Sequence, residues 1–254
     1  MSSRKTTLIA HIFNEEYLLP FWLEHHKNVF DDLVVIDYRS TDKSIEICKS
    51  IWPACKIITT QNECFAAEET DKEVMDIEND IEGIKMALNI TEFLFCEIPI
   101  KELFSDNKNP RSYAVNAVSP YSNKNYTIND TYELFNNLLN DDVVYHNDRG
   151  VRQIHNYPNG KYGIGRHTTY NHSIPETKLH IIWLGYYPMN EKLLERKLQI
   201  QQNIPQRDKN RGFGFQHFFT RDRILYINGE KATSGITLES INGSLYKLLH
   251  SSVK

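Results

Sequence analysis

Residues 6–13 are a short run of β-branched and apolar side chains that ends abruptly at Asn14-Glu15-Glu16, the pattern of a buried strand delivering a polar loop. The apolar period then changes. Leu18, Phe21, Trp22, His25 and Val29 fall at three- and four-residue steps, predicting a helix over 17–29 with Pro20 in its first turn. Residues 33–36 return to a strand pattern and end at Asp37-Tyr38-Arg39-Ser40-Thr41-Asp42. Ser40 or Thr41 can cap a helix carrying Ile45, Ile47, Cys48 and Ile51, and a third strand follows over 56–59. Strands alternating with helices through short links predict a parallel, doubly wound α/β unit. Ligands bind such sheets at the carboxyl ends of the strands, which is where both polar loops fall.

Farther along, 68–84 reads as an acidic amphipathic helix with Val74, Ile77, Ile81 and Ile84 at core spacing and Gly83 near its end. Residues 86–95 read as one strand interrupted by Asn89, Thr91 and Glu92. From about Pro99 the pattern weakens and Asn, Asp, Tyr and Pro dominate to about Asn140, with a short strand expected over 111–118. A strand over 179–184, a helix over 191–203 and a late strand over 224–228 complete the reading. The whole is expected to be a single domain, 1–254, with a division near residue 100 between a doubly wound half and a more antiparallel half carrying the C-terminal helices.

Composition changes this picture mainly by exclusion. The 254 residues carry 29 Lys plus Arg against 33 Asp plus Glu, a net charge of −4 that gives no global attraction to a nucleic-acid polymer or an anionic membrane. An anionic partner must therefore be held locally. No stretch approaches the ~20 apolar residues of a transmembrane segment, and the N-terminus turns polar too early for a signal peptide, so a cytoplasmic location is expected. Cys48, Cys55, Cys64 and Cys96 contain no C-x-x-C pair and read as apolar thiols rather than zinc ligands.

Two segments in order, residues 11–26 (HIFNEEYLLPFWLEHH) and 35–44 (VIDYRSTDKS), resemble the opening of the family 2-like glycosyltransferases of GT-A fold. The likeness continues through Glu73-Val74-Met75 and Asn89-Ile90-Thr91-Glu92-Phe93, and in outline through Gly165-Arg166-His167 and the strand 179–184. It implies a GT-A-like mixed sheet flanked by helices, with a Rossmann-like nucleotide-binding half over 1–100 and an acceptor-binding half over 101–254. It also implies transfer of a sugar from a nucleoside-diphosphate donor, UDP-linked by expectation, to the hydroxyl of a carbohydrate or glycoconjugate. Asn14, Glu15, Asp37, Arg39, Ser40 and Asp42 are then the expected nucleotide loops, and Arg166 and His167 a second contribution to that pocket. Asp37, Ser40 and Asp42 also suit plain turn and cap roles.

Enzymes of this fold commonly hold Mn²⁺ or Mg²⁺ through Asp-x-Asp, because a hard cation bridging phosphates takes carboxylate oxygens. The matching segment here is Asn89-Ile90-Thr91-Glu92, in which only Glu92 keeps a charge. The resemblance implies Glu92 with His180 as the metal pair, with a metal-independent enzyme leaning on Arg or Lys as the other outcome. An inverting reaction needs a carboxylate base for the acceptor, for which Asp148 is the candidate, with Glu133 and Asp142 behind it. Arg149, Arg152, Arg166, Arg196, Lys197, Arg207, Lys209 and Arg211 cluster modestly. Charges along 191–196 are read as a solvated helix face, and so are Arg207 to Arg211, although these could meet phosphates. The glycine- and aromatic-rich stretch 211–217, with His217, suits either a closing loop or a plain surface loop. His25 and His26 are read as packing or surface residues. Two alternatives stay open: a catalytically inert carbohydrate- or nucleotide-binding relative, and a nucleotidyltransferase of similar topology, which would ordinarily carry a glycine-rich basic loop where this chain has Asn14-Glu15-Glu16.

Overall fold

The computed structural model describes residues 4–105 and 109–253. Its first half is the expected alternation: β1 (Thr6–Ile12), α1 (Leu19–His26), β2 (Asp32–Asp37), α2 (Ser44–Ile51), β3 (Lys56–Thr59), α3 (Ala67–Asn79) and β4 (Ile84–Ala87). β1 pairs in parallel with β2 and β4, and β2 with β3, giving the order β3-β2-β1-β4 of a Rossmann-like half. Leu8, Ile9, Val35, Ile36 and Met86 are fully withdrawn from solvent, as strands covered on both faces require.

The second half adds β5 (Glu92–Cys96), α4 (Ile100–Leu103), β6 (Ser112–Tyr121), α5 (Thr131–Asn137), β7 (Val144–His155) and β8 (Ser173–Trp183). It closes with α6 (Glu191–Gln199), α7 (Gln206–Arg211), α8 (Arg221–Ser234), α9 (Leu238–Ile241) and α10 (Gly243–Ser252). β7 joins β4 antiparallel, and the sheet runs on through β6 and β8 to β5, eight strands in all. The two halves therefore share one mixed sheet flanked by helices, the GT-A-like architecture expected. Among the described residues, no helix is long and apolar enough to cross a membrane.

Three expectations are corrected. The strand expected over 86–95 is two strands. After β4 the chain turns, with Glu92 N–H donating to Asn89 O at 2.9 Å, and β5 departs to the far edge beside β8. The polar trio is that turn. Helix α3 stops at Asn79 instead of 84, because Gly83 adopts φ +101° where a Cβ would lie 2.4 Å from Lys5 O, and Ile84 already belongs to β4. Residues 224–228 lie inside α8: Thr220 caps the helix by accepting from Arg223 N–H, and Ile224 and Asn228 form its buried i, i+4 face.

His25 and His26 pack. His26 accepts from Leu94 N–H at 3.1 Å and donates from Nδ1 to Trp22 O, while His25 donates to Leu94 O at 2.7 Å. Together they fasten α1 to β5 among Phe93, Phe95 and Phe135. Burial drives both rings neutral, His25 down to about 4. All four cysteines are free thiols, with Cys48 fully buried.

Candidate active site

A cavity of about 290 Å³ opens at the carboxyl ends of β1 and β4. Its walls come from Phe13 and Glu15 after β1, Asn89 to Thr91 after β4, the first turns of α3, the middle of β7, and the segment from α6 to residue 217. One side is apolar and aromatic. Phe65 stacks on Tyr38 at 4.1 Å between centroids and meets Phe13 edge-on, and Ile204 and Phe213 also line the cavity. The other side is cationic, built from Arg149, Arg152, Arg166 and Lys197 with His167 and His217.

A bulge in β7 makes the cationic wall. Val115 pairs with Arg152 and Ala117 with Arg149, so three residues of β7 oppose two of β6. In a regular strand residues three apart face opposite ways; the extra residue turns both guanidinium groups toward Glu92. Gly150 sits in the bulge, and a Cβ there would lie 2.6 Å from His167 Nδ1, so only glycine admits that imidazole. Arg152 Nη1 in turn lies 2.9 Å from His167 Nδ1 and donates to Gly165 O at 2.6 Å. Trp183, at the end of β8, folds back over Gly185, where a Cβ would fall 2.0 Å from the indole, and Arg149 lies on its face at 4.4 Å.

Glu92 is 1% exposed and bridges Arg152 at 2.6 Å and Arg149 at 3.4 Å, while accepting from Asn89 N–H at 2.8 Å. Burial alone would raise its carboxyl, but the two arginine charges with the hydrogen bonds from Arg152 and Asn89 outweigh it and hold it at about 2. Burial, then the charges of Arg152 and Arg149, push His167 down to about 4; burial with Lys197, Arg196 and Arg149 does the same to His217. Both imidazoles are neutral near pH 7. Lys197 is brought down to about 7 by burial and by Arg196 and Arg149.

The structure unites some of the sequence candidates and separates others. Glu15, Arg166 and His167 line the cavity, and Glu92 lies behind Arg149 and Arg152. Asn14, with φ +51°, joins the loops after β1 and β2: its Oδ1 accepts from Thr41 N–H at 2.8 Å and its N–H donates to Ser40 Oγ at 3.1 Å. Asp37 accepts from Ser40 N–H, and Asp42 accepts from the N–H groups of Glu16 and Ser44. Arg39 donates to the carbonyls of Thr60 and Asn62. Ser40 thus links Asn14 to Asp37, while Arg39 and Asp42 are taken up by other neighbours, and none of the five lines the cavity. Glu133 accepts from Asn129 N–H, and Asp142 accepts from Ser122, Tyr126 and Lys124. Asp148 pairs with Lys231 at 2.7 Å.

Glu92 and His180 are not brought together. On β5 and β8, Glu92 pairs with Trp183 and Phe95 with His180, three residues farther along and on the opposite face of the sheet. His180 bonds Glu97 at 2.8 Å and Asn242 at 2.9 Å. A Glu92–His180 pair therefore does not fit Mn²⁺ or Mg²⁺, and among the described residues no group of three or more His, Cys, Asp or Glu side chains could hold a metal ion. Arg196, expected on a solvated helix face, instead turns inward to a bidentate pair with Glu15 at 2.5 and 2.6 Å. Its neighbour Lys197 is the cavity residue that helix periodicity concealed. The glycine in Asp148-Arg149-Gly150-Val151-Arg152, inside an otherwise strand-like run, is the sequence signal for the bulge.

Segment 200–217 forms the cavity's cover. Phe65 N–H donates to Asn203 O at 2.8 Å, and the buried Asp208 carboxylate accepts from Ala67 N–H at 2.7 Å, capping α3, whose own N-cap residue Ala66 has no side-chain acceptor. On the outside Arg211 pairs with Glu68 at 2.7 Å and Arg207 with Glu69.

No family model matches this sequence, and no curated protein does. Solved structures similar to it include residues 1–349 of Staphylococcus aureus TarS, 16% identical over 49% of this chain and 38% of that one, with a TM-score of 0.36. Another is Mycobacterium tuberculosis glucosyl-3-phosphoglycerate synthase with phosphoglyceric acid, 14% identical over 46% of this chain and 45% of that one, at 0.30. TarS has also been solved with UDP-GlcNAc and with UDP, and the synthase with Mn²⁺, UDP-glucose and phosphoglyceric acid. In each case the match spans less than half of the solved chain.

Proposed function

We propose that this protein is a glycosyltransferase that takes a sugar from a nucleoside-diphosphate donor, UDP-linked by our reading, and passes it to a hydroxyl of a carbohydrate or glycoconjugate. The observation that carries this reading is the cavity itself. It lies at the carboxyl edge of β1 and β4, beside the two loops that resemble the glycosyltransferase opening, and it joins an aromatic wall to a cationic one. A base and ribose suit Phe13, Phe65 and Phe213, and a diphosphate suits Arg149, Arg152 and Lys197. Asn14, Asp37 and Ser40 set the shape of the nucleotide edge through their shared hydrogen bonds. Glu92 positions Arg149 and Arg152. In the transfer step the bond from the anomeric carbon to the diphosphate oxygen breaks as the acceptor oxygen bonds to that carbon. Asp148, held below the usual carboxylate range by its hydrogen bonds and charge pairing with Lys231 despite burial, is the carboxylate we assign to take the acceptor proton.

The test pairs binding with turnover. Thermal stabilisation is measured with UDP, GDP and their sugars, and nucleotide release is measured from the donor that binds. One nucleotide class should raise the melting temperature in proportion to RT ln(1 + [L]/Kd) and release its diphosphate over time. Stabilisation without release would favour the inert nucleotide-binding relative, a reading that the replacement of Asp-x-Asp by Asn89-Ile90-Thr91-Glu92 supports. No stabilisation by any of them would end the glycosyltransferase reading.

A further inference from the structure

We propose that the donor diphosphate is neutralised by Lys197 and Arg149 acting together across the face of Trp183, with no divalent cation between phosphate and protein. This rests on the nucleotide-sugar reading above and specifies how that site works.

The carboxylates around the cavity are already satisfied, whereas its cations are only partly so. A bridging Mn²⁺ or Mg²⁺ takes carboxylate oxygens, and each carboxylate at this cavity is engaged elsewhere. Glu15 is bidentate with Arg196; Asp71 holds Arg166 at 2.7 Å and Gly165 N–H at 2.7 Å; Asp208 caps α3; Glu92 is enclosed by Arg152, Arg149 and Asn89. A cation seeking any of them would first have to displace an arginine or uncap a helix.

The positive side is not used up in the same way. Arg149 reaches Glu92 only at 3.4 Å, and its Nε, buried against the site, has no hydrogen-bond partner. Lys197 has no carboxylate partner among the described residues. Its ammonium donates to Gly185 O at 2.9 Å and lies 3.9 Å from the centre of the Tyr186 ring, leaving further N–H groups for a ligand. Both cations flank Trp183, Arg149 at 4.4 Å and Lys197 at 5.9 Å from the ring centre. Two cations that both lie against one aromatic ring, one with no carboxylate partner and the other held to Glu92 only at 3.4 Å, suit two adjacent phosphates, and the neutral His167 and His217 at the same cavity can hydrogen-bond without adding charge.

The experiment is titration calorimetry with UDP and UMP, in EDTA and in Mn²⁺, on the wild type, Lys197→Met and Lys197→Arg. The ligand-free melting temperature and far-UV circular dichroism serve as the folding check. UDP should bind with the same Kd within about twofold in EDTA and Mn²⁺ and more tightly than UMP. Lys197→Met should weaken UDP about tenfold and erase most of the UDP-over-UMP preference, and Lys197→Arg should restore it. Binding of UDP lost in EDTA and recovered in Mn²⁺ would overturn the cation pair while leaving the nucleotide-sugar reading intact. So would a UDP-over-UMP preference unchanged in a folded Lys197→Met protein. Should the wild type bind neither nucleotide in either buffer, nor GDP, the underlying reading fails with it.

Discussion

The loops after β1 and β2 and the wall built from β7 and α6 face the same region but differ in what their polar groups are doing. In the loops nearly every group is occupied by a neighbour: Asn14 by Thr41 and Ser40, Asp37 by Ser40, Asp42 by Glu16 and Ser44. In the wall Arg149 Nε has no partner and Lys197 has no counter-ion among the described residues. A satisfied network fixes shape, while an unsatisfied one holds binding capacity in reserve. The contrast assigns architecture to the residues with the more familiar pattern and electrostatic grip to the less familiar ones.

The sharpest way to break this contrast is to remove the charge that organises the wall. Glu92→Gln should destabilise the protein by about 3–5 kcal/mol, because Arg152, 1% exposed, is left without its counter-charge. Urea denaturation measures this. A loss below about 1 kcal/mol would mean that Glu92 does not organise the wall.

Proton linkage at Lys197 comes next. The groups facing it are Arg196 on α6, Arg149 on β7, Trp183, Tyr186 and His217, and of these His217 is already neutral near pH 7. With Lys197 at about 7, it is mostly charged at pH 6 and mostly neutral at pH 8. Affinity for UDP-glucose, whose phosphates do not titrate in this range, should therefore fall about tenfold from pH 6 to 8, and Lys197→Arg should flatten the slope. For the ligand-free protein the sign is opposite. The unfolded lysine keeps its proton up to its ordinary value near 10.5 while the folded one loses it at about 7, so stability should rise with pH across that window, and less so in Lys197→Met.

On the loop side effects should be smaller and confined to stability. Asn14→Ala removes the acceptor for Thr41 N–H and places alanine at φ +51°, a loss of roughly 1–2 kcal/mol, with the UDP-over-UMP preference unchanged. A changed preference would show that the loops grip the phosphates as well. Smallest of all, Arg211→Ala removes an exposed, solvent-screened pair with Glu68 and should leave the thermal unfolding midpoint nearly unchanged.

The first hundred residues were legible because their strands are buried on both faces and their helices carry a clear apolar stripe, so Leu8, Val35 and Trp22 announce themselves. The break at Asn89 to Glu92 was not, since a turn between two apolar runs looks like one interrupted strand until the partner strand is known. Arg196 read as part of a solvated face because helix periodicity reports which side is apolar, and Leu193 and Leu194 mark that side, while nothing local reveals that Glu15, 181 residues earlier, waits for Arg196. Long side chains reach past the boundary that the apolar stripe defines. The β7 bulge left only Gly150 as a trace, and its meaning depends on β6 and His167, both remote in sequence.

The carboxylate of Asp208 has a consequence for how the cover and the floor of the cavity can move. Helix α3 begins without an acceptor of its own and borrows one from the cover, so lifting that segment exposes an unpaired amide at the helix start. Thr70 and Asp71 line the cavity from the next turn of the same helix. Moving that segment away would therefore take from α3 its N-terminal acceptor, within the same first turns whose Asp71 holds Arg166 at 2.7 Å.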